Sequence, residues 1–217
     1  MSLVSPRLLS TGALFGALAL AAACDTQAGD EYQGETLAKL QGVVTNDLDE
    51  LPPELEAVLV WENVSGEGDF VVGETAVVDG EFPSSFKLEV LLPPGDFALN
   101  DFTSEGGAPE ARIGIAYLMA LPAGEDVAEA AANAVGVSEQ YVLIYAESDV
   151  AEGTAAAELV GGPLAAGFHL MEVIDSEDPS CTREELFDCL RPAADGFETS
   201  IEIRLDELEL LDIPNWT

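Results

Sequence analysis

The chain has 217 residues, 48% of them hydrophobic, and sets 42 Asp and Glu against seven Lys and Arg, a formal net charge of −35. Binding a polyphosphate requires Lys and Arg to neutralise it, so this balance excludes nucleic acid as a partner and opposes anionic lipid head groups. It fits solubility in high salt, loose binding of divalent cations such as Ca2+, or attraction to a basic partner.

Arg7 is followed by Leu8 to Cys24, LLSTGALFGALALAAAC, an apolar stretch with small residues ahead of its cysteine. A charged start, an apolar middle and a small-residue end are the grammar of an export signal. The stretch falls short of the ~20 strongly apolar residues that a spanning helix needs. Asp25, Asp30 and Glu31 follow it, where basic stop-transfer residues would be expected of a retained span. Leu20-Ala21-Ala22-Ala23-Cys24 resembles the lipobox of bacterial lipoproteins, in which the cysteine is acylated and becomes the new N-terminus. Ala21 and Ala23 also suit an ordinary secretory cleavage. Acylation of Cys24 would tie the protein to a lipid bilayer, each buried methylene adding about 0.8 kcal/mol.

Cleavage after Ala23 removes Arg7, the one charged residue of the leader, and leaves 194 residues with a net charge of −36. That length suits one ordinary domain, and its hydrophobic content argues for an ordered core despite the charge. Residues 24–35, polar and acidic, form a short tether, and residues 36–217 are expected to be a single domain.

Thr36 to Thr45 places Leu40, Gly42 and Val44 on one face and Lys39, Gln41 and Val43 on the other, as an edge or half-buried strand would. Asn46 to Pro53 ends it with carboxylates and two prolines. Ala57 to Val64 has the β-branched and aromatic content of a central strand, and Ser65 to Asp69 turns it into Phe70 to Val78 as a long hairpin. Asp79-Gly80 is a second turn. Phe86, Leu88 and Val90 then alternate inward against Lys87 and Glu89 outward, until Pro93-Pro94-Gly95 stops the strand.

Ala111 to Leu121 is apolar on both faces and predicts a strand buried on both. Glu125 to Val135 predicts a helix, rich in alanine, acidic in its first turn and closed by Gly136. Tyr141 to Ala146 is again a strand. Ser148 to Gly162 predicts an irregular connection with one helical turn at Thr154 to Leu159. Gly167 to Ile174 and Ser200 to Leu205 are the last strands, with a bulge expected near Asp206-Glu207 if the latter runs on to Ile213. Short strands at regular spacing predict a mainly β fold: an antiparallel β-sandwich, immunoglobulin-like or Greek-key, with one short inserted helix.

Cys181 and Cys189 are the pair left once Cys24 is acylated, and export permits a disulfide between them. Thr182 and Glu185 also form a capping box. Eight residues of regular helix would hold the two Cα atoms about 12 Å apart, beyond the roughly 7 Å a disulfide spans. Any helix there must therefore be short, with the chain turning back before Cys189. The sole histidine, His169, sits in a strand pattern and is expected to be a packed or surface residue. Asn46, Asp47, Asp49 and Glu50 offer oxygen ligands at the spacing of a calcium loop but lack the glycine and distal glutamate of an EF-hand. Paired carboxylates could also serve a glycosidase-like hydrolase, although 42 acids will supply some pair at any chosen distance.

The succession YQGETLAKLQGVV, AVLVW, FPSSFKLEVLLPP, IGIAYLMAL, YVLIYA and GFHLMEV resembles a group of uncharacterised lipoproteins from myxobacteria. Tyr32 to Gly34 and Phe82-Pro83 before a strand are the pieces that carry the likeness. The resemblance spans nearly the whole mature chain and implies no activity. Some relatives carry an acidic loop after the strand matching IGIAYLMAL; here an alanine-rich stretch stands in its place, which weakens a calcium site by that route. The expectation is a membrane-tethered, non-enzymatic module of the cell envelope with an unidentified protein or glycan partner and no cofactor beyond loosely bound Ca2+.

Overall fold

The computed structural model describes residues 35–50, 54–62, 70–78, 80–103, 109–124, 133–174 and 189–206. The strands are β1 (Ala38–Asn46), β2 (Leu55–Glu62), β3 (Phe70–Val78), β4 (Ser84–Val90), β5 (Asn100–Thr103), β6 (Pro109–Pro122), β7 (Gly136–Ala146), β8 (Gly167–Ile174), β9 (Cys189–Pro192) and β10 (Ser200–Leu205). One α-helix, α1 (Ala155–Leu159), lies between β7 and β8. They form a sheet in the order β3-β2-β6-β7-β10-β1-β4, with β5 beside β6 and β8, carrying β9, beside β7. The fold is mainly β and antiparallel, sandwich- or barrel-like, with a short helix. The exception to antiparallel pairing is β1 with β10, which run parallel from Gln41↔Ser200 to Asn46↔Leu205.

The two longest strands explain the branching. Along one edge β6 pairs first with β5, from Thr103↔Pro109 to Asn100↔Ile113, and then with β2, from Trp61↔Ala116 to Leu55↔Pro122. Likewise β7 meets β10 at Gly136 and Val137 and meets β8 from Tyr141 to Ala146. The ends of the path approach one another, because the Leu91 N–H donates to the Glu74 carboxylate at 3.3 Å. β6 is covered on both faces, with Ala116, Leu118 and Ala120 on one and Ile113, Ile115, Met119 and Leu121 on the other, which is why Ala111 to Leu121 is apolar on both faces apart from Arg112.

Two cores result. On the inner face Leu40, Val44, Leu59, Leu88, Leu118, Leu143, Ile201 and Ile203 pack together. On the opposite face Val60, Ile113, Ile115, Ile144 and Met171 are covered by Val150, Ala156, Leu159, Val160 and Leu164. Each fully buried Val, Leu, Ile or Met side chain among them contributes about 1.5–3 kcal/mol against exposure. The covering segment is pinned at its neck, where Val150 and Leu164 exchange backbone hydrogen bonds of 2.7 and 3.2 Å.

Within that segment Thr154 caps α1: its hydroxyl accepts from the Ala157 N–H at 3.1 Å and donates to the Ala151 carbonyl at 2.8 Å. The helix ends at Gly161, whose φ of +75° lets the Gly162 N–H reach the Ala157 carbonyl at 2.7 Å. That is the left-handed glycine closure of a helix C-terminus. A helical turn at Thr154 to Leu159 is what the sequence predicts.

Several expectations need adjustment. β1 is half-buried, with Leu40, Gly42 and Val44 buried on one face as the sequence predicts, and because β10 and β4 flank it on both sides it is not an edge strand. Asn133 is helical, and Gly136, expected to close that helix, opens β7, where a Cβ would press on the Arg204 carbonyl oxygen. The helix expected at Glu125 to Val135 lies outside the described residues except for 133–135, as does everything expected beyond Asp206. β5 and β9 are strands that sequence patterning does not predict.

Candidate functional site

A groove of about 300 Å3 opens at the start of β1, lined by Thr36, Leu37, Ala38, Lys39, Gln41, Phe197 and Glu198. The topology accounts for it. Pairing between β1 and β10 begins at Gln41↔Ser200, and ahead of that point the one-turn 3-10 helix Gly196–Glu198 runs beside β1 in place of a strand. Phe197 packs against the inner core while Leu37 is 48% exposed, so the groove has an apolar floor and an open rim. Its charged members are one ammonium and one carboxylate. Lys39 lies 3.5 Å from Glu89, which also accepts a long bond of 3.4 Å from the Thr36 hydroxyl. Lining of this kind can hold a ligand by contact and a few hydrogen bonds, and it presents no pair of facing acids.

Three arginines organise the described acidic surface. Arg112, projecting from β6, bonds Asp96 at 3.0 Å, Asp101 at 2.9 Å and Glu147 at 3.1 Å, drawing the segment after β4, the strand β5 and the end of β7 together. The bond to Asp96 is the main influence that raises its pKa. Arg191 on β9 faces Glu172 on β8 in register and grips it with Nε and Nη2 at 2.8 and 2.9 Å. Arg204 lies 3.6 Å from Asp47. Sequence patterning missed the Arg112 cluster, because its three partners come from separate segments; the scarcity of cations was the one signal available.

The residues singled out by sequence are scattered. Asn46 Oδ1 accepts from the Leu48 N–H at 2.9 Å and its Nδ2 donates to the Leu48 carbonyl at 3.3 Å, while Asp47 pairs with Arg204. Asp49 and Glu50 are exposed on the same turn. Two of the four candidate calcium ligands are thus engaged locally, and among the described residues no group of three His, Cys, Asp or Glu could hold a metal ion. His169 has a ring nitrogen 2.7 Å from the Ala165 carbonyl oxygen, the bond of a strand residue tied to a nearby turn. Cys24 and Cys181 lie outside the described residues. Cys189 begins β9 and is half-buried.

Two further features concern buried polar groups. Burial pushes the Glu62 carboxyl above its ordinary value of 4.5, against the lowering effect of a long hydrogen bond of 3.5 Å from the Tyr117 hydroxyl. Ser84 and Ser138 are 3% and 4% exposed, and their hydroxyls have no hydrogen-bond partner among the described residues.

Comparison with known family models, curated proteins and solved structures gives no match for this chain.

Proposed function

We propose that the protein is a membrane-tethered, non-enzymatic lipoprotein of the cell envelope, acting as an acidic binding or structural module. The observation that carries this reading is the export segment Leu8 to Cys24, with three alanines immediately ahead of the cysteine. Acyl chains on Cys24 hold the chain to a bilayer, and the acidic stretch that follows spaces the β domain from it. Support for a binding or structural role over hydrolysis comes from the groove beside β1, which offers Lys39 and a single carboxylate, Glu198.

The same export places the domain in an oxidising compartment, where Cys189 pairs with Cys181 and closes the small loop between β8 and β9. Mass spectrometry under non-reducing conditions tests the pairing: a peptide containing both cysteines linked is expected, and two alkylatable thiols would refute it. For the function itself the experiment is fractionation of cells expressing wild type and Cys24→Ser. The wild type is expected in the membrane pellet, released by detergent and not by salt, and the variant in the soluble fraction. Envelope partners captured with the detergent-solubilised wild type then identify what the domain binds.

A further inference from the structure

Of the four large apolar side chains exposed among the described residues, three lie at one end of the sheet. Leu37, Leu92 and Phe97 are 48%, 53% and 39% exposed. Leu37 immediately precedes β1, and its N–H donates to the Val90 carbonyl at 2.8 Å, where β4 finishes. Leu92 follows β4 by two residues. Phe97 lies in the 3-10 turn Asp96–Ala98 just beyond, whose Ala98 is fully buried in the inner core. The fourth, Val77, is 76% exposed and lies at the opposite end, where β3 finishes and Ser84 begins β4.

The apolar end is also where the chain enters the domain. Eleven residues, 25–35, separate Cys24 from Thr36. A flexible coil of eleven residues has a root-mean-square span of about 17–20 Å, and eleven residues fully extended reach about 36–40 Å. The nine residues of β1 carry the sheet about 30 Å from its beginning to its far end. That distance exceeds the coil span and takes about four fifths of the extended length, so anchoring through Cys24 favours the Leu37 end over the Val77 end at the bilayer.

Local charge at this end is partly cancelled in a molecule that is otherwise strongly acidic. Glu89 is paired with Lys39, and Asp96 is held by Arg112. Because Arg112 is shared with Asp101 and Glu147, those two carboxylates together with Glu35 and Glu198 leave a residual negative charge, which disfavours anionic lipid and points to a zwitterionic surface. Leucine and phenylalanine side chains there can enter the boundary between head groups and acyl chains.

We infer that Leu37, Leu92 and Phe97 form a membrane-facing rim, which rests against zwitterionic phospholipid when the protein is anchored through Cys24. This inference rests on the proposed anchoring. The rim fixes the orientation of the domain and brings the groove beside β1, which Leu37 also lines, to the membrane surface.

The test uses full-length acylated protein reconstituted into phosphatidylcholine vesicles containing a brominated acyl chain, which quenches tryptophan on contact. Leu92→Trp, Phe97→Trp and Val77→Trp are each compared with the parent, whose own tryptophans are Trp61 and Trp216. Leu92→Trp and Phe97→Trp are expected to lose a larger share of their fluorescence than the parent and to shift their emission to the blue. Val77→Trp should do neither. Equal quenching of all three variants, or none at positions 92 and 97, overturns the orientation. Vesicle flotation of the wild type separates the two levels: failure to float removes the anchoring and the rim with it, whereas flotation with unquenched probes removes the rim alone.

Discussion

Gly42 of β1 lies directly against Ile201 of β10, so that a Cβ at position 42 would collide with the Ile201 carbonyl oxygen. The contact sits inside the parallel pair, at the register Gly42↔Ile201, and the opposing atoms are backbone. A flexible neighbour could move aside; a carbonyl held in a ladder cannot do so without disturbing the pairing. Gly42 is thus what allows β10 to enter between β7 and β1.

Gly42→Ala is therefore expected to destabilise the domain by about 1–3 kcal/mol, the usual range for forcing a methyl group into a filled site. Urea unfolding of the variant beside wild type measures it. A midpoint unchanged within error would show that β1 and β10 are not packed as described.

The helix over the outer core offers a milder test. Thr154→Ala removes the hydroxyl that accepts from the Ala157 N–H, leaving that donor without its cap. The expected loss is about 1 kcal/mol, read as a lower thermal midpoint, whereas Thr154→Ser should lose much less. Gly161→Ala should cost more than Thr154→Ala, because a Cβ there meets both the left-handed backbone and the Leu190 carbonyl oxygen.

Two glutamates should give pH dependences of opposite sense. Bonds from Arg191 hold the Glu172 carboxyl below its ordinary value of 4.5. Its contribution is therefore present above the range in which the unfolded chain's glutamates titrate, and is lost as pH falls through the lowered folded value. Glu172→Gln is expected to reduce stability at pH 7 by about 0.2–1 kcal/mol, as for a surface pair, and to converge with wild type in acid. Glu62 is raised by burial, so its contribution is present in acid and is lost as pH rises through the raised value. Glu62→Gln should stabilise at pH 7 and approach wild type in acid. Thermal melts across pH 3–8 test both, and parallel curves for all three proteins would contradict the assignment.

Much of the β architecture was legible because period-2 alternation reports one buried face. Phe86, Leu88 and Val90 are buried and Lys87 and Glu89 exposed, as their order implies. Ile201, Ile203 and Leu205 behave likewise on β10. The run from Ala111 to Leu121 disclosed burial on both faces, but not that one edge of β6 serves both β5 and β2. β5 is four residues long and half exposed, too short to set a pattern. The beginning of β7 was hidden because Gly136 after an alanine-rich stretch carries the signature of a helix end, whereas here the missing Cβ serves close approach to Arg204. The parallel β1–β10 pair joins residues about 160 positions apart, and no local signal reports such a partner.

For the site, sequence was informative about covalent chemistry and silent about assembly. Cys24 follows its small residues within one contiguous stretch, so acylation can be proposed without a fold. The groove requires Thr36 to Gln41 and Phe197 to meet across most of the domain, and the Arg112 cluster requires Asp96, Asp101 and Glu147 to converge from separate segments. Asn46 and Asp47 show the converse: ligand-like spacing is satisfied by the Leu48 backbone and by Arg204.

The central claim is the lipid anchor, and metabolic labelling addresses it most directly. Cells expressing wild type or Cys24→Ser are grown with an alkynyl fatty acid, and the purified proteins are coupled to a reporter dye. The account predicts dye on the wild type and none on Cys24→Ser. An unlabelled wild type, or label that persists on Cys24→Ser, would contradict it.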